Sequence, residues 1–408
     1  MKSVSQNLDR LTYDLVSNRV EAALEPGRVL AIIEDTTHKI VGRALNQALE
    51  KEITDALGRD VHERGAEGQY RNGTRKVSFP WLLGRLTLHK PVLRGATPRS
   101  PLLASLRQAG RATVDMLAKR IWLRGASTRT VAQELNQAFG TRLRSADVSR
   151  ITNAMMPEVE AWLARPLPKD IQHLYLDACY LPAKKVDFTT KQALLVAIGT
   201  DTQGRKHALG FLFGDRENKE TWSAFLRDLL NRGLDRQALK IAVSDDHKAI
   251  GAAVSEVLAV PHQICLVHKM RNARARVASK HRKAFLADFK TVYWSPSREA
   301  AFLALGQLKA RWTPLYPKAV EITEANFEQC LTFMSQPKNY WTILRSSNLV
   351  ERFIRELRRR FRPAGAMMSE AEVWKLVWAV GTEQEKRWAA HRVHGARKEA
   401  MEALKTAA

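Results

Sequence analysis

A chain of 408 residues with 45% hydrophobic and 26% charged side chains carries enough apolar material for two or three packed domains, which excludes both a disordered chain and a small disulfide-stapled fold. Its 66 Lys and Arg against 42 Asp and Glu leave a net charge of +24 spread along the whole chain, which points to a nucleic acid rather than to a membrane surface bound through one basic amphipathic helix. Three cysteines, Cys179, Cys265 and Cys330, have no pairing pattern, Met1 to Leu24 mixes charges through its apolar positions unlike a secretory signal, and no stretch reaches the ~18 apolar residues of a membrane span, so a reducing cytoplasm is expected.

From Asp9 to Gly58 apolar residues recur at helical spacing (Ile32, Val41, Leu45, Leu49, Ile53, Leu57), which predicts a helical arm over residues 1–60 closed by Gly58. Residues 61–110 read as a small basic β-unit: Tyr70-Arg71-Asn72-Gly73 carries an Asn-Gly turn signal, and Leu83 to Val92 alternates like a strand. Over residues 111–165 the helical period returns. Ser127 is placed to cap a helix containing Val131, Leu135 and Phe139, Gly140 marks a turn, and a second helix opens at Ser145. This order predicts a helix-turn-helix-like DNA-binding region with Ser145, Ser149 and Arg150 early on its second helix, although an ordinary helical hairpin has the same pattern.

After Pro166-Leu167-Pro168 the pattern becomes α/β. Strands are expected at Leu174–Leu181, Ala193–Gly199 and Ala208–Phe213, a helix at Lys219–Asn231, and a further apolar run from Leu239 to Ser244 that ends at Asp245-Asp246. A strand that ends in a carboxylate and feeds a helix is a usual place for chemistry in such a sheet. Residues 271–341 show only helical periodicity, with Trp294, Trp312, Tyr316 and Trp341 suited either to a core or to stacking on an unpaired base. The last long helix starts near Ser347 and carries Glu351, Arg352, Arg355, Arg358 and Arg359.

Phosphodiester transfer by two metal ions needs a few carboxylates converging on cations about 3.5–4 Å apart. Asp177, inside an apolar strand, is the best single candidate, though a strand-end Asp satisfied by a turn reads the same way. Asp245 and Asp246 compete, since in a continuing strand only one faces the site and the other can cap the following helix. Glu351 alone resembles any solvated helix carboxylate; Asn348 and the following arginines, able to hold phosphates, set it apart. Cys265 and His268 have the spacing of half a zinc site without a second half, and Lys269, Arg271 and Asn272 follow them directly.

Taken in order, Tyr70-Arg71-Asn72-Gly73, Gly125-Ala126-Ser127-Thr128-Arg129, Val148-Ser149-Arg150-Ile151, Tyr175-Leu176-Asp177-Ala178-Cys179-Tyr180, Glu217 with Trp222, Val243-Ser244-Asp245-Asp246, Cys265-Leu266-Val267-His268-Lys269-Met270-Arg271-Asn272 and Ser347-Asn348-Leu349-Val350-Glu351-Arg352 resemble the bacterial Mutator-type DDE transposases. The resemblance implies an α/β fold: an RNase H-like catalytic core (residues 168–270 and 342–395) with an all-helical insertion (271–341), preceded by an N-terminal helical DNA-binding region. It implies Asp177, Asp245 and Glu351 as catalytic and metal-binding residues, two Mg2+ ions that Mn2+ can replace, and DNA contacts from Arg71, Arg129 and the basic and polar residues already named. The implied activity is cleavage at the terminal inverted repeats of a mobile element and strand transfer into target DNA, by a homodimer or higher oligomer at the bacterial nucleoid. Two other readings stay open: an inert DNA-binding regulator derived from a transposase, and a nuclease that cuts without joining. Asp246 stands where similar proteins usually carry Gly or Ala, and Gly365-Ala366-Met367-Met368 lacks their aromatic.

Overall fold

The computed structural model describes residues 26–58, 60, 63, 70–81, 84–94, 99–184, 189–214, 216–364 and 369–393, so the expectations for Met1 to Leu24 and for Gly365–Met368 fall outside the described residues. The chain divides into two units, Met1–Asn153 and Ala154–Ala408.

In the first unit a long helix α1 (Pro26–Leu57) ends at Gly58, whose φ of 62° needs a residue without Cβ strain. Strands β1 (Tyr70–Trp81) and β2 (Gly84–Arg94) form an antiparallel ribbon whose register places Trp81 opposite Gly84. The Asn-Gly pair is therefore not the hairpin turn that the sequence suggests. It lies inside β1, where the register shifts between Arg71 and Thr74 and Gly73 takes a φ of 72°, so the left-handed glycine absorbs a bulge instead of reversing the chain. Phe79, Leu86 and Leu88 turn inward onto Leu49 of α1 and Leu103 of α2 (Pro101–Leu123). Glu52 of α1 fastens the start of α2, accepting the Ser100 hydroxyl and, at 2.8 Å, the Leu102 N–H.

Helices α3 (Thr128–Phe139) and α4 (Ser145–Asn153) follow, with the Ser127 side chain capping α3 through the Thr130 N–H. Asn136 stitches the turn between them: its side chain donates to Leu143 O (2.9 Å) and accepts the Leu143 N–H (2.8 Å) and the Thr141 hydroxyl (2.7 Å). Buried Val131, Leu135 and Val148 close the pair.

The second unit opens with α5 (Met156–Leu163) and is built on a five-stranded mixed sheet in the order β5-β4-β3-β6-β7. Strands β3 (Ile171–Lys184), β4 (Thr189–Asp201) and β5 (Lys206–Gly214) are antiparallel, whereas β6 (Ile241–Ser244) and β7 (His262–Ile264) join parallel to β3 and to each other. Both faces are covered, which is why Leu194 to Ile198 is a continuous buried apolar run instead of an alternation. On one face α6 (Lys219–Asn231) packs Trp222, Phe225, Leu226 and Leu229 onto the sheet, followed by α7 (Lys248–Ala253) beyond β6.

After β7 come α8 (Leu266–Arg274), α9 (Arg282–Tyr293), α10 (Arg298–Trp312) and α11 (Pro317–Glu324), then short turns. Trp312 is a core residue here, its indole N–H held by Asp288 at 2.7 Å, and Trp294 and Trp341 flank Arg345 with ring centroids 5.3 and 5.7 Å from its guanidinium. The chain returns in α12 (Asn348–Ala364) and ends its described part with α13 (Glu370–Ala389). Phe353 of α12 stacks on Phe211 of β5 at 5.3 Å, which makes this apolar position on α12 a packing position against the second face of the sheet. No described helix is long and apolar enough to cross a membrane.

Candidate active site

The parallel pairing of β3 and β6 puts Tyr175 opposite Val243, so Asp177 and Asp245, each two residues further on, sit level with each other where β6 ends. That is the carboxyl edge of the parallel part of the sheet. Asp177 accepts the Ala178 N–H at 2.8 Å. Burial pushes its carboxyl up to about 7; the His268 charge works against this, and Asp245 and Glu351 add to it. Asp245 is also raised, by burial first and then by the negative charge of Glu217, and its Oδ1 is buried with no hydrogen-bond partner. A buried carboxylate oxygen left unpaired is unfavourable unless a cation completes it.

Asp246 is placed differently. Its Oδ1 accepts from Asn326 at 2.8 Å and its Oδ2 lies 3.4 Å from the Lys269 ammonium, so it ties the loop after β6 to the helical segment. Lys269 itself is turned inward: its side chain is 2% exposed and also donates to Ala325 O. The expectation of a DNA contact from Lys269 does not fit this burial, because the ammonium is already used inside the protein.

Glu351 arrives on the first turn of α12, its N–H bonded to Ser347 O at 3.0 Å. Its Oε1 accepts the Ser347 hydroxyl at 3.3 Å and lies 3.4 Å from His268 Nε2, and its Oε2 is 3.8 Å from Arg271 Nη2. Behind it the Ser347 N–H donates to Cys265 Sγ at 3.3 Å. The hydrogen bond with Cys265 raises His268 to about 9, against burial and with help from the charges of Cys265, Glu351 and Asp177. For Cys265 burial works upward, but bonds with His268 and Ser347 hold the thiol below its ordinary value. One ligating atom each of Cys265, His268 and Glu351 falls within 4.8 Å of the others. The pair that looked like half a zinc site thus finds a carboxylate rather than a second Cys or His pair, and it braces Glu351 through hydrogen bonds and charge.

Asp177, His268 and Glu351 line a cavity of about 780 Å³ together with the cations Arg271, Arg355, Arg358 and Arg359. Asn272, Asn348 and Arg352 are exposed, whereas Arg360 points inward to Glu383 at 2.9 Å. One group of this region entered the sequence reading only as a family marker. Glu217, in the loop before α6, accepts from the Tyr180 hydroxyl (3.2 Å) and the Trp222 indole N–H (3.3 Å), with His247 Nδ1 at 3.8 Å, and its side chain is 10% exposed. Its place directly before Asn218, the cap of α6, was the available signal in the sequence.

The remaining candidates belong to the first unit. Arg71 bonds to Glu50 (2.6 Å) and Thr54 (2.8 Å) of α1, so two of its five N–H donors anchor the ribbon and its side chain is only partly exposed. Arg129 and Ser145 are exposed and Ser149 is half-buried. Arg150 is exposed but paired with Asp147 at 2.7 Å.

Residues 16–391 match the family described as "Transposase, Mutator family". Among curated relatives, the chain is 29% identical to a transposase for insertion sequence element ISRM5 of Rhizobium meliloti (strain 1021), over 87% of this chain and 89% of that protein. It is 30% identical to the transposase for IS406 of Burkholderia multivorans, over 86% and 90% of the two chains. It is 26% identical to the transposase for IS256 in transposon Tn4001 of Staphylococcus aureus, over 93% and 97%.

Proposed function

This chain belongs to the Mutator family of transposases, and on that premise we propose that it binds the inverted-repeat ends of a mobile element, cleaves there, and joins the freed strand to a new DNA site. In this reading the sheet of the second unit with α12 is an RNase H-like catalytic core, the helices between β7 and α12 are its insertion, and Asp177, Asp245 and Glu351 are the catalytic acids. The observation that carries it is the buried, unpartnered Oδ1 of Asp245, close enough to Asp177 to raise its carboxyl together with Glu351, next to a cavity that Asp177 and Glu351 share with four arginines.

The donor set consists of hard carboxylate oxygens, as magnesium prefers, and it contains an oxygen that only a cation or an added donor can satisfy. Asp177, Asp245 and Glu351 would hold the ions, which when bound activate the attacking oxygen and stabilise the leaving one. The chain's own groups do the rest. Arg355, Arg358 and Arg359 bind phosphates along the cavity, and their planar guanidiniums fix the strand's direction as well as its charge. Ser347 and His268 hold Glu351 in one orientation before substrate arrives, and Arg271 keeps its second oxygen in place.

The deciding experiment incubates purified protein with a labelled duplex carrying the element's end and a second, target duplex. Nicked and joined products that need Mg2+ or Mn2+ and vanish in Asp177→Asn, Asp245→Asn and Glu351→Gln, with binding retained, support the proposal. Binding with no product under any metal condition would make the chain a regulator, and cut ends that never join would make it a simple nuclease.

A further inference from the structure

The cavity accounts for the arginines of α12 but leaves the basic ribbon of the first unit without a task. Strands β1 and β2 carry Arg71, Arg75, Lys76, Arg85, Lys90 and Arg94 and contain neither Asp nor Glu. Ordinary surface strands mix both signs; apart from Arg71, which pairs with Glu50 of α1, these cations have no carboxylate partner among the described residues, and such a ribbon favours an anion beside it.

The two faces of the ribbon are distinct. Val77, Phe79, Leu86 and Leu88 point into the core formed with α1 and α2. The pairs that alternate with them, Lys76 opposite His89, Ser78 opposite Thr87 and Pro80 opposite Arg85, therefore lie on the other face. There Lys76, Arg85, Thr87 and His89 are exposed, and the Ser78 and Thr87 hydroxyls touch at 3.0 Å with capacity left for further hydrogen bonds. Arg85 also lies against the turn of the helical pair: a Cβ on Gly140 would come 3.2 Å from its Nη1. The outer face of the ribbon is thus continuous with the turn between α3 and α4.

Charge separates the ribbon from the recognition helix that the sequence suggests. On α4, Asp147 neutralises its neighbours, accepting from Arg150 at 2.7 Å and lying 3.6 Å from Arg144. Among the described residues no carboxylate pairs with Lys76 or Arg85; the one ion pair of the ribbon strands is Arg71 with Glu50 of α1. A two-stranded antiparallel ribbon also fits the roughly 12 Å width of a B-DNA major groove, and Lys, Ser, Thr and His are side chains that read phosphates and base edges. We infer that the outer face of the β1–β2 ribbon is a DNA-reading surface, which enters the major groove of the element's end with Lys76 and Arg85 on phosphates and Ser78 and Thr87 at base edges. Arg71 serves this surface from behind by fastening the ribbon to Glu50 and Thr54 of α1. The inference rests on the DNA partner proposed above.

The experiment measures binding of the full-length chain, by fluorescence anisotropy across a salt series, to a duplex with the element's end and to a scrambled duplex. Lys76→Ala is expected to weaken both complexes and to reduce the salt slope by about one. Ser78→Ala with Thr87→Ala is expected to narrow the preference for the cognate end by about tenfold. Unchanged affinity, slope and preference in these variants, with the wild type binding normally, would overturn the ribbon surface and leave the DNA partner intact. A wild type that binds no duplex overturns both. To remove dependence on variant folding, amine labelling of the wild type is read with and without duplex: Lys76 is expected to be protected, and labelling at an unchanged rate counts against the contact.

Discussion

Lys269 holds Asp246 through an ammonium 3.4 Å from Oδ2, on a side chain that is 2% exposed, while the preceding Asp245 keeps an Oδ1 that is buried and unmatched. Adjacent acids of one loop thereby do different work. Asp246→Asn is expected to lower stability by about 1–2 kcal/mol in denaturant unfolding, less than for a fully buried pair because Asp246 is partly exposed, and to retain strand cleavage. Asp245→Asn is expected to leave stability unchanged or raised and to abolish cleavage. Cleavage lost in Asp246→Asn and kept in Asp245→Asn would reverse the assignment.

Glu217 bears on the same loop through its charge on Asp245. Glu217→Gln keeps an oxygen for the Trp222 indole N–H and an amide N–H that can donate to the Tyr180 hydroxyl, but removes that charge. Its expected effect is about a tenfold rise in the Mg2+ concentration for half-maximal cleavage, with DNA affinity unchanged. An unchanged metal requirement would restrict Glu217 to packing.

The bracing of Glu351 is tested by His268→Ala, expected to slow cleavage by about 10–100-fold without loss of DNA affinity. Cys265→Ser preserves a hydrogen-bonding atom behind His268 and should cost less. Equal losses in both variants, accompanied by a lower melting temperature, would indicate a packing role alone.

In the turn between β4 and β5, Asp201 is fully buried, bonded to Arg205 Nε at 2.5 Å and His207 Nε2 at 2.9 Å. Burial alone works upward on its carboxyl, but the bonds from His207 and Arg205 outweigh it and hold the group below the ordinary carboxylate range. A depressed acid stabilises the fold above its unfolded value near 4, and this contribution disappears as pH falls through the folded value. Asp201→Asn is therefore expected to cost about 1–3 kcal/mol near neutral pH and to flatten the fall in stability below about pH 4. A parallel acid limb in wild type and variant would exclude Asp201 as its source.

Much of the second unit can be read from local pattern. The Lys219–Asn231 helix has a strong cap and a continuous apolar stripe, and the β3 and β6 runs are apolar because both faces are covered. The three-residue strand His262–Ile264 has no such period, and its place depends on β6 beside it. The Asn-Gly pair misleads because left-handed glycine suits a bulge and a turn equally. In the same way, neither the inward path of Lys269 nor the Arg71–Glu50 pair has a local signature. Each depends on partners 56 and 21 residues away in the chain.

The Leu266 N–H donates to Arg345 O at 2.9 Å, and beside it Cys265 receives the N–H of Ser347, two residues after Arg345. The long helical excursion therefore begins and ends at a single pinch point. Segments clasped at the neck in this way can change length where they bind nothing else, here away from Ala325 and Asn326, which hold Lys269 and Asp246. The neck, with the Ala325–Asn326 contact, is therefore the part of the excursion least free to drift.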